Sequence, residues 1–373
     1  MQQVNAAVAA GTWPTQPVPG QGYLYSWGSG DSGQLGLGNT TRYSSPKQVG
    51  SLNNWLKLAA SNYGQLAVKA DGTLWSWGNN AFGELGTGNT TFYSSPKQVG
   101  SLTNWLNVSS AYHASYGVKT DGTIWSWGKN VFGCLGLGNS TNYSSPKQIG
   151  ALSNWLKVTA GYMYAVAIKT DGTLWTWGRN QAGQLGDNST VAKSSPVQVG
   201  ALTNWSTAKA LRQTTLVTTT SGALYVWGSG TAGATGLGNT TYYSSPKQLG
   251  ALTNWSDNFS GAYNYQLVVM PKTDGTLWSW GYNNVGQLGL GNITNYSSPK
   301  QIGALTDWLS VSTGYQHCLA TKTNGTVWSW GNNTYGTLGV GNTTNYSSPK
   351  QVGSLTNWLT VAAGGYTSFG ITS

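Results

Sequence analysis

The chain has 373 residues, of which 8 % are charged, with 19 Lys or Arg against 9 Asp or Glu and a formal net charge of +10. An average soluble domain carries about 25 % charge, so this composition, with its 53 Gly, 20 Trp and 21 Tyr, suits a rigid β-rich protein working outside the cell better than a busy cytosolic enzyme. Met1 to Gly20 has no Lys or Arg and no apolar core of about 7 residues or more, so it does not read as a secretory leader, and no run approaches the ~20 residues of a membrane span.

Residues 1–20 stand apart from everything that follows. Trp13, Pro14, Pro17 and Pro19 suit an extended N-terminal arm that docks on a partner chain or on the rest of the protein. From residue 21 onward the chain is one unit written seven times. Trp27, Trp77, Trp127, Trp177, Trp227, Trp280 and Trp330 are each followed by Gly, at spacings of 50, 50, 50, 50, 53 and 50 residues.

Within a copy, Leu66–Lys69 and Thr73–Trp77 read as two strands around an Asp71-Gly72 turn, the strongest short-range hairpin signal. Pro96–Val99 and Trp105–Val108 supply two more short strands between Gly-, Asn- and Ser-rich stretches. No window shows helical periodicity with caps. Four strands in about 50 residues, repeated in register, predict an all-β, closed seven-bladed β-propeller. The turn falls at Asp71, Asp121, Asp171, Ser221, Asp274 and Asn324, and one further step in either direction runs off the repeat. Tyr23–Trp27 therefore lacks a hairpin partner, and Thr367–Thr372 at the other end is the missing strand. Pairing them completes the last blade from both termini and removes the open sheet edges.

The series Gly161, Lys169, Asp171, Gly172, Trp177, Gly178, Asn180, Gly183, Gln184, Leu185 and Gly186 resembles the repeat of the regulator of chromosome condensation (RCC1) family, and the resemblance covers residues 21–373. It implies a seven-bladed propeller and a spread of functions that includes guanine-nucleotide exchange, chromatin binding and protein scaffolding. Two departures count against an exchange factor. Those members carry an inserted wedge in one blade, whereas the irregularity here is a three-residue excess placed around Val269–Pro271. The family repeat also has a His early in the strand before the turn, where only His317 and His113 fall.

Catalysis, cofactors and metals find little support. Four of the nine acids sit in hairpin turns, and Asp31, Glu84, Asp187, Asp257 and Asp307 are scattered over different copies, whereas general acid–base work needs a positioned pair. Cys134 and Cys318 occupy unrelated repeat positions and read as incidental. Seven Asn-x-Thr/Ser matches that recur in register, among them Asn39, Asn188 and Asn342, read as loop residues that tolerate a left-handed backbone. The seven Trp-Gly tryptophans and Trp55, Trp105, Trp155, Trp205, Trp255, Trp308 and Trp358 recur in every copy. They read as cement between blades, each worth at most about 4–6 kcal/mol of gross burial.

Two features remain for binding. Lys47, Lys97, Lys147, Lys247, Lys300 and Lys350 occupy one place in the Ser-Ser-Pro-Lys-Gln segment and should form a ring. That ring either holds a polyanion or guards edge strands against aggregation. The scarcity of Arg favours the guard and disfavours nucleic acid. The second feature is the segment before each hairpin, where the copies differ most. It contributes Tyr63, Tyr112, His113, Tyr162, Tyr164, Arg212, Tyr263, Tyr315, His317 and Tyr366, all contact-prone side chains that should emerge on one face. The resulting expectation is a non-catalytic recognition or assembly module, made in a cytoplasm and carried on a phage virion, binding a host glycan or a neighbouring structural protein. The alternative is an intracellular RCC1-like regulator.

Overall fold

Each Asp-Gly pair builds its own turn. In the computed structural model, which describes residues 22–261 and 266–373, Asp71 Oδ1 accepts the Thr73 amide at 2.9 Å and the Thr73 hydroxyl at 2.6 Å, while Gly72 takes φ +76°. These bonds hold the Asp71 carboxyl below its ordinary pKa. The hydroxyl in turn accepts the Trp75 indole N–H at 2.9 Å, so the turn also orients the first aromatic of the outgoing strand.

Hairpins of this kind assemble into seven sheets arranged as a ring. The first complete blade runs Trp55–Ala59, Gly64–Lys69, Leu74–Gly78 and Tyr93–Gln98, from the central channel outward. The outermost strand carries the Ser-Ser-Pro segment, and its proline is tolerated because an edge strand can do without one ladder donor. The closing blade takes Tyr23–Gly28 and Tyr43–Gln48 from the N-terminal side and Trp358–Ala363 and Thr367–Thr372 from the C-terminal side. Tyr23 to Gly28 pair one for one with Thr372 to Thr367. Both ends of the repeat region are thereby locked in one sheet, as the repeat arithmetic predicts.

The Trp-Gly and Gln-Leu-Gly motifs meet across blade interfaces. Trp77 is fully buried and donates its indole N–H to Gln34 O of the preceding blade at 3.0 Å. Its ring lies on Gly36, where a Cβ would stand 3.0 Å from Trp77 Nε1. Gly36 and its six equivalents take φ between +70° and +75°, so glycine is required there both for backbone conformation and for room. The same contact closes the ring, with Trp27 Nε1 donating to Thr337 O at 2.9 Å. Trp177 is the exception. The Tyr116 hydroxyl takes the Cys134 carbonyl that this indole would use, and Trp177 Nε1 has no hydrogen-bond partner.

A second tryptophan layer is tied to the lysine of the hairpin. Lys69 is buried between Trp55 and Trp75, with Nζ 4.8 and 3.5 Å from the ring centres. Lys119, Lys169, Lys272 and Lys322 repeat the arrangement. Where Thr219 and Thr372 replace the lysine, Tyr225 and Tyr25 replace the second tryptophan. Cation–π attraction between desolvated partners explains why the two positions change together.

The irregular copy is not where the sequence reading places it. Leu267 pairs with Gly281 as Tyr164 pairs with Gly178, so Val269–Pro271 lies in an ordinary strand. The excess falls between Trp255 and Gln266. Phe259–Gly261 leaves its own blade and pairs parallel with Val311–Thr313 of the next. Strand continuity constrains Val269–Pro271 too tightly to absorb extra residues, whereas the inner strand can detach. The Asn reading also needs correction. Asn39, Asn89, Asn139, Asn239, Asn292 and Asn342 accept the amide two residues on, which is an Asx turn and leaves their φ negative. Asn188 alone among these loop asparagines is left-handed, at φ +61°, because it occupies the slot held by Gly38 and its equivalents.

Candidate functional site

Strand order fixes which loops share a face. The turn from the inner strand to the second and the loop from the third strand to the fourth open on the same side, here called the mouth. The Asp-Gly turns and the connections between blades lie on the other side, the base. The mouth therefore combines the variable segments with the loops after each Trp-Gly.

The side chains there form an arc. The Tyr63 and His113 rings stack at 4.8 Å with 3° between their planes, Tyr112 stands edge-on to His113 at 4.4 Å, and Tyr112 meets Tyr162 at 4.8 Å. Arg212 reaches over the Tyr162 ring at 5.8 Å. On the other flank Tyr366 lies 5.4 Å from Tyr315. Crowding raises the pKa of Tyr112 and of Tyr366, through burial first and neighbouring tyrosines second, and Tyr63 is among those acting on both. Tyr112 and Met163 hold left-handed backbones at φ 55° and 60°, which costs roughly 1–2 kcal/mol per non-glycine residue. Strain of this kind tends to be kept at functional sites.

The post-Trp-Gly loops add groups that the sequence reading omits. Phe82 packs edge-on to His113 at 4.7 Å, Lys129 lies 4.1 Å over the Phe82 ring, and Arg179 lies 5.2 Å over Tyr162. Tyr335 joins Tyr366 at 4.9 Å, with Arg42 stacked on its outer face at 4.6 Å and paired to Asp31 at 2.7 Å. Glu84 is a special case. It stands in the Gln position of Gln-Leu-Gly and, like Gln184, accepts the amide two residues earlier. Its other oxygen bonds His113 Nδ1 at 2.7 Å, which fixes the imidazole between Tyr63 and Phe82. A signal for these loops exists, since the x positions of Trp-Gly-x-Asn-x-x-Gly vary from copy to copy as strongly as the hairpin approach does.

Two residues assigned to this face lie elsewhere. Tyr164 and His317 are the first residues of second strands and are 0 % and 1 % exposed. Tyr164 donates its hydroxyl to Thr214 O of the next blade at 2.9 Å, and His317 Nε2 bonds Ser368 Oγ at 2.9 Å. A Cβ on Gly161 or Gly314 would collide with those rings, so a glycine three positions earlier admits the bulk. Their variation is interface packing, not surface. Burial lowers the His317 pKa to about 4. Tyr263 and the arm at 1–20 lie outside the described residues.

Lys47, Lys97, Lys147, Lys247, Lys300 and Lys350 are exposed on six separate outer strands, each 5.3–5.9 Å from the ring centre of a tyrosine in its own strand. They line the outer wall, away from the mouth. The central channel holds a cavity of about 390 Å³ lined by inner strands and bearing Lys57, Lys157, Lys209 and Asp257. Burial lowers the Lys209 pKa to about 8. Among the described residues no group of three or more His, Cys, Asp or Glu is placed to hold a metal ion, and no helix is long and apolar enough to cross a membrane.

A family model of the RCC1-like domain matches residues 2–265, and models of the RCC1 repeat match 274–321, 324–371 and 308–337. The chain belongs to the RCC1 repeat family. This RCC1-like ring shares its fold with Prp20p of Saccharomyces cerevisiae, at a TM-score of 0.82 and 20 % identity over 94 % of this chain and 92 % of that one. It is similar to human WBSCR16 at a TM-score of 0.83 and 20 % identity over 94 % and 99 % of the two chains. Yeast RCC1 (Prp20) in complex with Kap60 gives 0.83 and 19 % identity over 95 % and 90 %. No curated protein sequence matches the ring.

Proposed function

We propose that this RCC1-like ring is a non-catalytic recognition module that grips a protein partner across its mouth. The observation that carries the reading is the arc itself. Tyr63, Tyr112, Tyr162, Tyr315 and Tyr366 meet, in an otherwise repetitive molecule, on the one face where the copies differ, with Lys129, Arg179 and Arg212 stacked among them. Tyr and Arg are the side chains that dominate interface energetics, and their stacking here limits the rotamer entropy lost on binding. A partner surface with apolar groups and acidic edges complements them. Prp20p was studied for its binding to Gsp1p and histones, and yeast RCC1 was crystallised with Kap60, which supports a protein partner for this chain as well. Low charge and high Gly, Trp and Tyr content suit a structural particle, so we place the module on a phage virion, facing a neighbouring structural protein.

Partner capture from the native assembly tests this. Tyr112→Ala with Tyr162→Ala should weaken capture by roughly 2 kcal/mol, a factor of about 30, with little dependence on salt, and Arg179→Ala should separately weaken it by a similar amount that shrinks as salt rises. Lys97→Ala with Lys147→Ala on the outer wall should leave it unchanged. If the lysine pair abolishes capture and high salt does the same, the ligand is a polyanion and the mouth is not the site. Competition by free glycan would replace the protein partner with a carbohydrate, and nucleotide release from a GTPase would make the ring an exchange factor.

A further inference from the structure

The base of the ring carries an apolar collar that the mouth does not explain. Leu52, Leu102, Leu152, Leu202, Leu252, Leu305 and Leu355 stand at one place in the connection between blades, and each is 44–53 % exposed. A leucine turned to water in all seven copies differs from the scattered apolar residues of an ordinary surface. Beside Leu52 a pocket of about 330 Å³ opens between Leu37, Val49, Trp55, Trp75 and Pro96, and similar pockets adjoin Leu102 and Leu152. The Trp55 indole N–H at this pocket is buried without a hydrogen-bond partner.

The path of the chain names an occupant. Gly22 enters the ring on the base, where its carbonyl accepts the Trp55 amide at 3.3 Å, as the Gly72 carbonyl accepts that of Trp105. Gly22, where the described chain begins, thus hydrogen-bonds the backbone of Trp55, whose side chain lines the Leu52–Trp55 pocket. Residues 1–21 contain no charged side chain, and they include Val4, Val8, Trp13 and Val18 with three prolines. Trp13 is nine positions from Gly22, a reach of up to about 30 Å in an extended chain, which suffices for the nearest pockets. A tether this short gives the segment an effective concentration on the order of millimolar at the collar, well above that of a second molecule in dilute solution.

We propose that residues 1–21 fold back on the base of their own ring, with Trp13 and the prolines that follow it packed on the leucine collar at the Leu52–Trp55 pocket. The collar is then an intramolecular seat, and the inference is independent of what the mouth binds.

Hydrogen exchange by mass spectrometry on the full chain, at low and high protein concentration, tests the seat. The amides of residues 2–21 should exchange roughly tenfold or more slowly than in an unstructured peptide of the same sequence, equally at both concentrations. Leu52→Lys with Leu102→Lys, and separately Trp13→Ala, should abolish that protection while the melting temperature of the ring stays put. Should the lysine pair unfold the ring, Leu52→Ser takes its place and should reduce the protection. Free exchange of the segment in the unaltered chain overturns the proposal, as does protection that survives both variants. Protection seen only at high concentration, together with a dimer mass in light scattering, assigns the collar to a second copy and equally overturns it.

Discussion

The mouth and the base of this ring are built from the same seven copies, yet they answer to different constraints. At the base, the Asp-Gly turn and the Lys-Trp pair recur almost unchanged, because each is fixed by contacts inside its own blade. At the mouth, Asn62-Tyr63, Tyr112-His113, Tyr162-Met163 and Arg212-Gln213 share a position and little else. Neighbouring blades there touch through side chains that packing does not dictate. Where every copy agrees on a packed residue, the fold sets it. Where adjacent copies disagree at surface positions and their side chains still touch, we attribute the choice to something outside the fold.

The largest effect should come from breaking the ring where its ends meet. Deleting Ser368–Ser373 removes most of the strand paired with Tyr23–Gly28, and the cooperative melting transition should be lost, whereas deleting residues 1–20 should leave the ring folded. Equal losses in calorimetry would mean that closure is not what stabilises the molecule.

Next in size is a pH effect from His317, a variable residue that packs inside. Its pKa is about 4 when folded, against 6.5 when exposed, so between those values the unfolded chain binds the extra proton. Stability should therefore fall as pH drops from 6.5 toward 4, by up to on the order of 3 kcal/mol from His317, and below pH 4 any further loss belongs to carboxylates such as Asp71, which the fold holds below their ordinary pKa. His317→Thr, which adopts the residue found at Thr214 and Thr367, should flatten this part of the denaturation profile. A mouth histidine free in water would give no such slope.

Smaller still is a difference between two equivalent tryptophans. Trp127 donates its N–H to Glu84 O at 2.9 Å, while Trp177 has no acceptor. Trp127→Phe should cost about 1 kcal/mol more than Trp177→Phe in urea denaturation. The smallest change is expected at the mouth itself, where Tyr112→Ala with Tyr162→Ala should alter stability by no more than about 1 kcal/mol. A larger loss would mean that the arc is packing after all.

The architecture was legible because the repeat made each position readable several times over. Trp-Gly, Asp-Gly and the unpaired Tyr23–Trp27 led to blade, hairpin and closure without knowledge of a single contact. The site was legible only in part. Tyr164 and His317 vary as the mouth residues do, and only their place one step into a strand, with Gly161 and Gly314 making room, marks them as interior. Glu84 reads as a stray acid in sequence, whereas in the fold its two oxygens divide between a backbone amide and His113. Phe82, Lys129, Arg179 and Tyr335 occupy the positions that the Trp-Gly motif leaves open, so the motif alone does not point to them. The detached strand Phe259–Gly261 could not be foreseen, since a length excess shows that something must give but not which strand yields.

The pairing of Lys69, Lys119, Lys169, Lys272 and Lys322 with Trp75, Trp125, Trp175, Trp278 and Trp328, against Thr219 and Thr372 with Tyr225 and Tyr25, bears on how such a gene can change. Near-identical tandem copies invite unequal crossing-over and gene conversion. A breakpoint in the Ser-Ser-Pro segment exchanges whole hairpins and keeps each cation with its own indole. A breakpoint inside the turn, between the Lys and the Trp six residues later, would join lysine to tyrosine or threonine to tryptophan and leave one of them without its partner. Recombination in this array should therefore leave its scars in the outer loops, shuffling intact mouths from blade to blade as inherited units.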